Sequence, residues 1–323
     1  MRASIVVVTA VVLVACGRPA EQKPAASEHP ASDRPLSVYV VNNPLAAFAE
    51  RIGGSEASVT FPAPADTDPA SWSPDGDTVA AYQGADLILL NGADYAKWVA
   101  RASLPSAKLV DTGAAYEERL IPLEDAVTHT HGPEGEHAHS GVAFTTWLDP
   151  TLAVEQARAI GDAFEKARPE GATGFKERLA LLEADLMALD TRLEAVAEAF
   201  GDRPVLFSHP VYQYLERRYG LNGRSVHWEP GAEPSAREWS RIETLLETHA
   251  ARWMVWEGEP LAPVAARLEA LGVASVVFDP CATRSESGDF VSAMDSNVDR
   301  LEAAWAGSQG SAGTISRQGA GEP

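Results

Sequence analysis

Phe175–Phe200 reads FKERLALLEADLMALDTRLEAVAEAF. Phe175, Leu179, Leu182, Leu186, Leu189, Leu193, Val196 and Phe200 recur at spacings of four and three, which traces one apolar stripe along an α-helix. A helix over 174–200 is a rod roughly 39 Å long at 1.5 Å per residue. The same stripe would also serve as a coiled-coil seam. What lies on either side favours a single rigid helix packed along two α/β lobes.

Upstream, Leu36–Val41 (LSVYVV) reads as a buried strand, and a helix begins at Pro44 and ends near Gly53-Gly54. Ala57–Phe61, Ala85–Leu90 and Lys108–Asp111 are further strand candidates. Downstream the alternation returns, with strands at Val205–Ser208, Val226–Trp228, Trp253–Trp256 and Ser275–Phe278. Helices fall between them at Pro210–Tyr219, Ser235–Ala250 and Leu261–Leu271, and a last one spans about 288–306. Short apolar strands alternating with helices predict parallel sheets covered on both faces. The expected fold class is therefore α/β. A first lobe spans 36–150, connecting helices 151–203 and a second lobe 204–306, with a Gly/Ser-rich disordered tail at 307–323. A ligand would lie between the lobes, outside the carboxyl ends of the strands.

The amino-terminal end carries a different signal. Arg2 precedes the apolar run Ile5–Val14, which falls short of the roughly 20 residues that span a bilayer and suits a signal-peptide core. The run stops at Leu13-Val14-Ala15-Cys16-Gly17, which resembles a bacterial lipobox. Residues 1–15 are expected to be a signal peptide and Cys16 to carry lipid. Residues 16–35, rich in Pro, Ala, Ser and charge, form a tether. The expected location is the periplasmic side of the bacterial envelope, anchored to the membrane. With Cys16 taken by lipid, Cys281 stands alone, so stability must come from a core and not from a disulfide. The formal net charge of −20 and the lack of a basic stretch argue against a nucleic-acid partner.

Four of the eight histidines fall within eleven residues, His129, His131, His137 and His139, in HTHGPEGEHAH. Neutral imidazole is a strong ligand for zinc, copper and nickel. Gly132, Pro133 and Gly135 make a turn between the two His-x-His pairs, and alternate residues of an extended segment point the same way. His209 follows a strand and precedes a helix, Asp279 follows Ser275–Phe278, and Glu257 follows Trp253–Trp256. Those are places where α/β sheets present ligand-binding groups. Trp72 and Trp147 are candidate cleft walls, with ordinary core packing as the plainer account. Cys281 is a candidate soft ligand beside Asp279, weighed against a small buried hydrophobe. His227 and His249 read as structural. The chain lacks a Gly-x-Ser-x-Gly elbow, a His-Glu-x-x-His helix and a Gly-x-x-x-x-Gly-Lys loop, so an enzyme is not expected.

Several motifs in order resemble the metal-binding solute-binding proteins of ABC importers, the ZnuA/TroA-like zinc and manganese family. They are Trp147-Leu148-Asp149-Pro150 with the long helix beyond it, Phe207–Leu221 (FSHPVYQYLERRYGL), Glu233-Pro234-Ser235, the Trp256–Pro260 run and Phe278-Asp279-Pro280. The resemblance covers about residues 36–306. It implies two α/β lobes joined by a backbone helix, little hinge motion, a metal in the cleft and a histidine-rich insert. It implies zinc as cargo, with manganese or copper as the other candidates, and an ABC permease as partner for a monomeric, lipid-anchored protein. A buffer or metallochaperone of the same fold is the alternative. By resemblance, His209 and Asp279 match the family's ligands from the second lobe. The histidine of the family's Asp-Pro-His motif falls on Ala70, and the one before Trp-Leu-Asp-Pro falls on Thr145. Two residues cannot close a tetrahedral zinc site. Either the loop histidines complete it, or the cleft binds something else, or it binds nothing.

Overall fold

The computed structural model describes residues 34–123, 141–284 and 289–306, together with the backbone of 127–130 and 136–139. Cys16, the signal segment, the tether up to residue 33, His131 and the tail at 307–323 lie outside the described residues.

Each half builds a four-stranded, all-parallel sheet. In the first lobe β1 (Leu36–Val40), β2 (Ala57–Thr60), β3 (Leu87–Leu90) and β4 (Leu109–Asp111) stand in the order β2-β1-β3-β4. Helix α1 (Asn43–Gly53) links β1 to β2. Its start is set by Asn42, whose side chain accepts from the Leu45 N–H at 3.1 Å, with Pro44 in the first turn. Its end is set by Gly54 at φ +54°, a conformation that favours glycine. Helix α2 (Gly76–Gly84) buries only Tyr82. It was not expected, because a single buried side chain leaves no apolar period in the sequence to read.

An antiparallel ribbon follows, β5 (Val127–Thr130) with β6 (Glu136–His139), in a register that sets His129 opposite His137 and Val127 opposite His139. Helix α3 (Pro150–Ala167), capped by Asp149, leads into α4 (Ala172–Phe200), 29 residues long. The stripe read from the sequence is the buried face of α4. Phe175, Leu182, Leu186, Leu189, Leu193, Val196 and Phe200 are buried and Leu179 is half-buried.

In the second lobe β7 (Pro204–Phe207), β8 (Asn222–Ser225), β9 (Trp253–Trp256) and β10 (Ala274–Val277) stand in the order β10-β9-β7-β8. The helices are α5 (Gln213–Tyr219), α6 (Ala236–Thr248), α7 (Ala262–Ala270) and α8 (Phe290–Ala306). Two boundaries differ from expectation. The strand expected at Val226–Trp228 is Asn222–Ser225, because β8 pairs with β7 from Pro204↔Asn222 to Phe207↔Ser225. Beyond Ser225 the chain turns Trp228 into a pocket against Trp239 and Trp256. Helix α5 starts at Gln213 and not at Pro210, because the Val211 N–H donates to the His209 carbonyl in a tight turn.

One contiguous apolar core runs from Leu36 in β1 through the α4 stripe to Trp305 in α8 and includes Phe207 and Phe278 of the second lobe. A smaller cluster around Trp239, Met254 and Trp256 lies on the other side of the second sheet. The lobes therefore share one packed interior with α4, which favours small relative motion.

Candidate metal site

The cleft between the lobes is a cavity of about 530 Å³ facing the carboxyl ends of both sheets. From the second lobe, each strand delivers one ionisable group to its wall. His209 follows β7, Glu229 follows β8, Glu257 follows β9 and Asp279 follows β10. His209 is only 6% exposed. Its Nδ1 lies 3.6 Å from Glu229 Oε1 and 3.8 Å from Glu257 Oε1, while the exposed His227 meets its ring edge-on at 5.7 Å.

Asp279 is held on three sides. Its N–H donates to Asn297 Oδ1, its carbonyl accepts from Asn297 Nδ2, and its carboxylate accepts from the Cys281 N–H at 2.7 Å. Burial raises its pKa, and the Cys281 N–H and the Arg300 charge oppose the rise. Behind it the Tyr212 hydroxyl donates to the Phe278 carbonyl at 2.7 Å. Its pKa is driven far up by burial and then by the charges of Glu257 and Asp279.

The first lobe contributes a different wall. Asp66, Asp68 and Tyr95 line the cavity together with Leu123 and the segment Ala143–Thr145 and Trp147. Asp68 closes the turn in which Ala70 sits, accepting from the Ala70 N–H at 3.0 Å. The Thr145 hydroxyl is spent on the Val211 carbonyl across the cleft. Trp147 is buried and donates from Nε1 to the Pro280 carbonyl at 2.7 Å, a second tie between lobes. Tyr95 packs edge-on against Phe144 and Trp147.

Of the residues singled out from the sequence, His209, Glu257, Asp279, Trp147 and Thr145 meet at this cavity. Trp72 does not; its ring packs against Trp98 instead, as the plainer core account has it. Cys281 is buried outside the lining, its thiol against the Asp279 carbonyl and its pKa raised by burial. His249 is structural, with Nε2 3.0 Å from the Val205 carbonyl. His129, His137 and His139 lie on the β5–β6 ribbon. The stem of that ribbon is rooted at the cavity rim, since Leu123 and Ala143 both line it and pair across the stem with Gly141 and Ile121. Sequence reasoning missed Glu229, Tyr95, Gln213 and the two lobe-one aspartates. Glu229 alone had a signal, because it follows a strand candidate just as Glu257 does.

Among the described residues no three His, Cys, Asp or Glu side chains stand close enough together to hold a metal ion. His209 and Asp279 fit a cation as a partial set and leave open positions for other donors.

The family model described as ZnuA, zinc-uptake complex component A, periplasmic, matches residues 38–304. A Treponema pallidum (strain Nichols) protein named as a candidate metal-binding protein is 23% identical over 274 residues, 82% of this chain and 86% of the relative. The crystal structure of the metal-dependent lipoprotein YcdH from Bacillus subtilis superposes with a TM-score of 0.71 at 22% identity, over 83% of this chain and 98% of that one. The zinc-bound ZnuA-like domain of Streptococcus pneumoniae AdcA gives 0.68 at 21%, over 84% and 99%. At these identities the likeness to solved structures is one of fold.

Proposed function

The chain belongs to the ZnuA family of periplasmic zinc-uptake components, and from that membership we propose that it captures zinc outside the cytoplasm and delivers it to an ABC import permease, tethered to the membrane by lipid on Cys16. One observation carries the reading. All four strands of the second sheet end in a group that can ligate or attract a cation, and all four groups line one cavity. Zinc would be held on the His209 imidazole and the Asp279 carboxylate, with Glu229 and Glu257 lowering the local potential. His129, His131, His137 and His139 would gather the ion at the rim, where the ribbon stem joins the cavity wall. Among the described residues no helix is long and apolar enough to cross a membrane.

Calorimetric titration with zinc, manganese, copper and nickel tests the cargo. Zinc is expected to bind most tightly of those the permease accepts, and more tightly at pH 8 than at pH 5, because a protonated imidazole cannot ligate. Flat affinity across that range would exclude an imidazole ligand. A second reading, a metal buffer uncoupled from an importer, is favoured by the lack of any imidazole on the described first-lobe wall. Zinc uptake by vesicles carrying the candidate permease separates the two. Uptake that rises with added protein supports delivery, and uptake that ignores it supports buffering.

A further inference from the structure

We propose that the cleft takes its cation as a complex with a small amine- or imidazole-bearing chelator of the amino-acid class, and not as a bare ion. The proposal rests on the metal-binding reading above and specifies what that site binds.

Four observations meet here. The first is the shortage of donors: among the described residues no three His, Cys, Asp or Glu side chains are arranged to hold a metal ion, whereas a closed zinc site needs four donors. The second is size. A cavity of about 530 Å³ has room for more than roughly a dozen waters at ~30 Å³ each, and it falls within the ~300–1,000 Å³ range of small-molecule pockets. The third is a pair of polar side chains in the cavity wall. The Tyr95 hydroxyl, in a residue 2% exposed, and Gln213 Oε1 are both buried without a hydrogen-bond partner among the described residues, and both residues line the space. Buried polar groups of that kind are costly unless something in the cavity pairs with them. The fourth is charge. Asp66, Asp68, Glu229, Glu257 and Asp279 line the cavity, and no Lys or Arg does so among the described residues.

Together these observations choose the class of co-ligand. An acidic wall rejects the anionic complexes that polycarboxylates form and accepts a complex that keeps net positive charge. Amine or imidazole nitrogens on the co-ligand replace those absent at Ala70 and Thr145. Its carbon frame can rest on Phe144, Trp147 and Val211, its carboxylate can accept from the Tyr95 hydroxyl, and its N–H can donate to Gln213 Oε1. His209 and Asp279 then fill the remaining positions on the cation.

Equilibrium dialysis of the purified protein with radiolabelled L-histidine, with and without zinc, tests this. About one histidine per chain is expected to be retained with zinc and none without it. Retention should persist when all four ribbon histidines are replaced by alanine, and citrate should not be retained. Tyr95→Phe should lower histidine retention roughly tenfold, as expected for one lost hydrogen bond. The proposal is overturned if zinc binds while histidine only competes for it, or if retention vanishes with the ribbon histidines. Should zinc bind under neither condition, the metal-binding reading falls as well, so the two failures are told apart.

Discussion

The two lobes are built on one plan and spend their polar groups in opposite ways. Counting strands from each lobe's start, both sheets run in the order second, first, third, fourth. In the second lobe the carboxyl ends carry His209, Glu229, Glu257 and Asp279 to the cleft. In the first lobe the ends of β1, β3 and β4 turn inward. Asn42 after β1 donates to Asn91 after β3 at 3.0 Å, and Gln156 of α3 donates to Asn91 Oδ1 at 3.1 Å and to the Thr112 hydroxyl after β4 at 3.3 Å. All four side chains are at most 1% exposed. Asn91 also donates to the Phe144 carbonyl, which fixes the segment running on to Thr145 and Trp147. The lesson is that a shared topology supplies the positions but not their use. One lobe ties most of its strand ends into a rigid floor, and the other opens all four of its strand ends to the cleft.

The largest effect expected from breaking this asymmetry is on His209. His209→Ala should lower zinc affinity, measured by calorimetry with L-histidine present, by more than 100-fold, beyond the 10–100-fold typical of losing a group that only supports a ligand. Retained affinity would mean that the cation does not sit on the second-lobe wall. Next is Asn91→Ala, which leaves the Asn42 and Gln156 amides buried without their common partner. Unfolding in urea should show a loss of about 2–4 kcal/mol, at ~1–3 kcal/mol for each stranded group. Zinc affinity should change less than threefold if the first lobe is only a floor.

A smaller effect concerns pH. Glu216 of α5 is half-buried with its carboxylate beside Gly223, and burial raises its pKa to about 7 despite the Arg224 charge. A carboxyl raised in the folded state stabilises the fold fully below its unfolded value, and that contribution is lost as pH rises through about 7. Asp279 is raised as well and acts in the same direction. Melting temperature should therefore fall between pH 5 and 8. Glu216→Gln should flatten the fall, removing at most about 3 kcal/mol at ~1.4 kcal/mol per unit. The four polar side chains of the first-lobe network are amides and a hydroxyl, so they add no such slope. Smallest of all, alanine at all four ribbon histidines should reduce the number of zinc ions bound while shifting cleft affinity less than threefold. A larger shift would make the ribbon part of the cleft site.

Much of this was legible along the chain. The α4 stripe declares itself because helical period is a local property, and Trp253–Trp256 reads as a strand because four apolar residues in a row suit a doubly covered sheet. His209 and Asp279 were found because they follow strands. The strand β8 was misplaced because its sequence, Asn222-Gly223-Arg224-Ser225, is polar and owes its conformation to pairing with β7. Tyr95 and Gln213 gave no sign at all, since their importance lies in two side-chain oxygens that find no hydrogen-bond donor or acceptor among the described residues.

By itself, the order of residues determined the periods of helix and strand, and hence two covered sheets and the rod between them, as well as which side chains stand at strand ends. Only the tertiary structure decided which of those ends close on one another and which stay open to the cleft. Asn42 and Asn91 are 49 residues apart, and Gln156 lies 65 beyond Asn91. No spacing rule reaches so far, because such partners are chosen by the packing of α3 against the first sheet and not by neighbours along the chain.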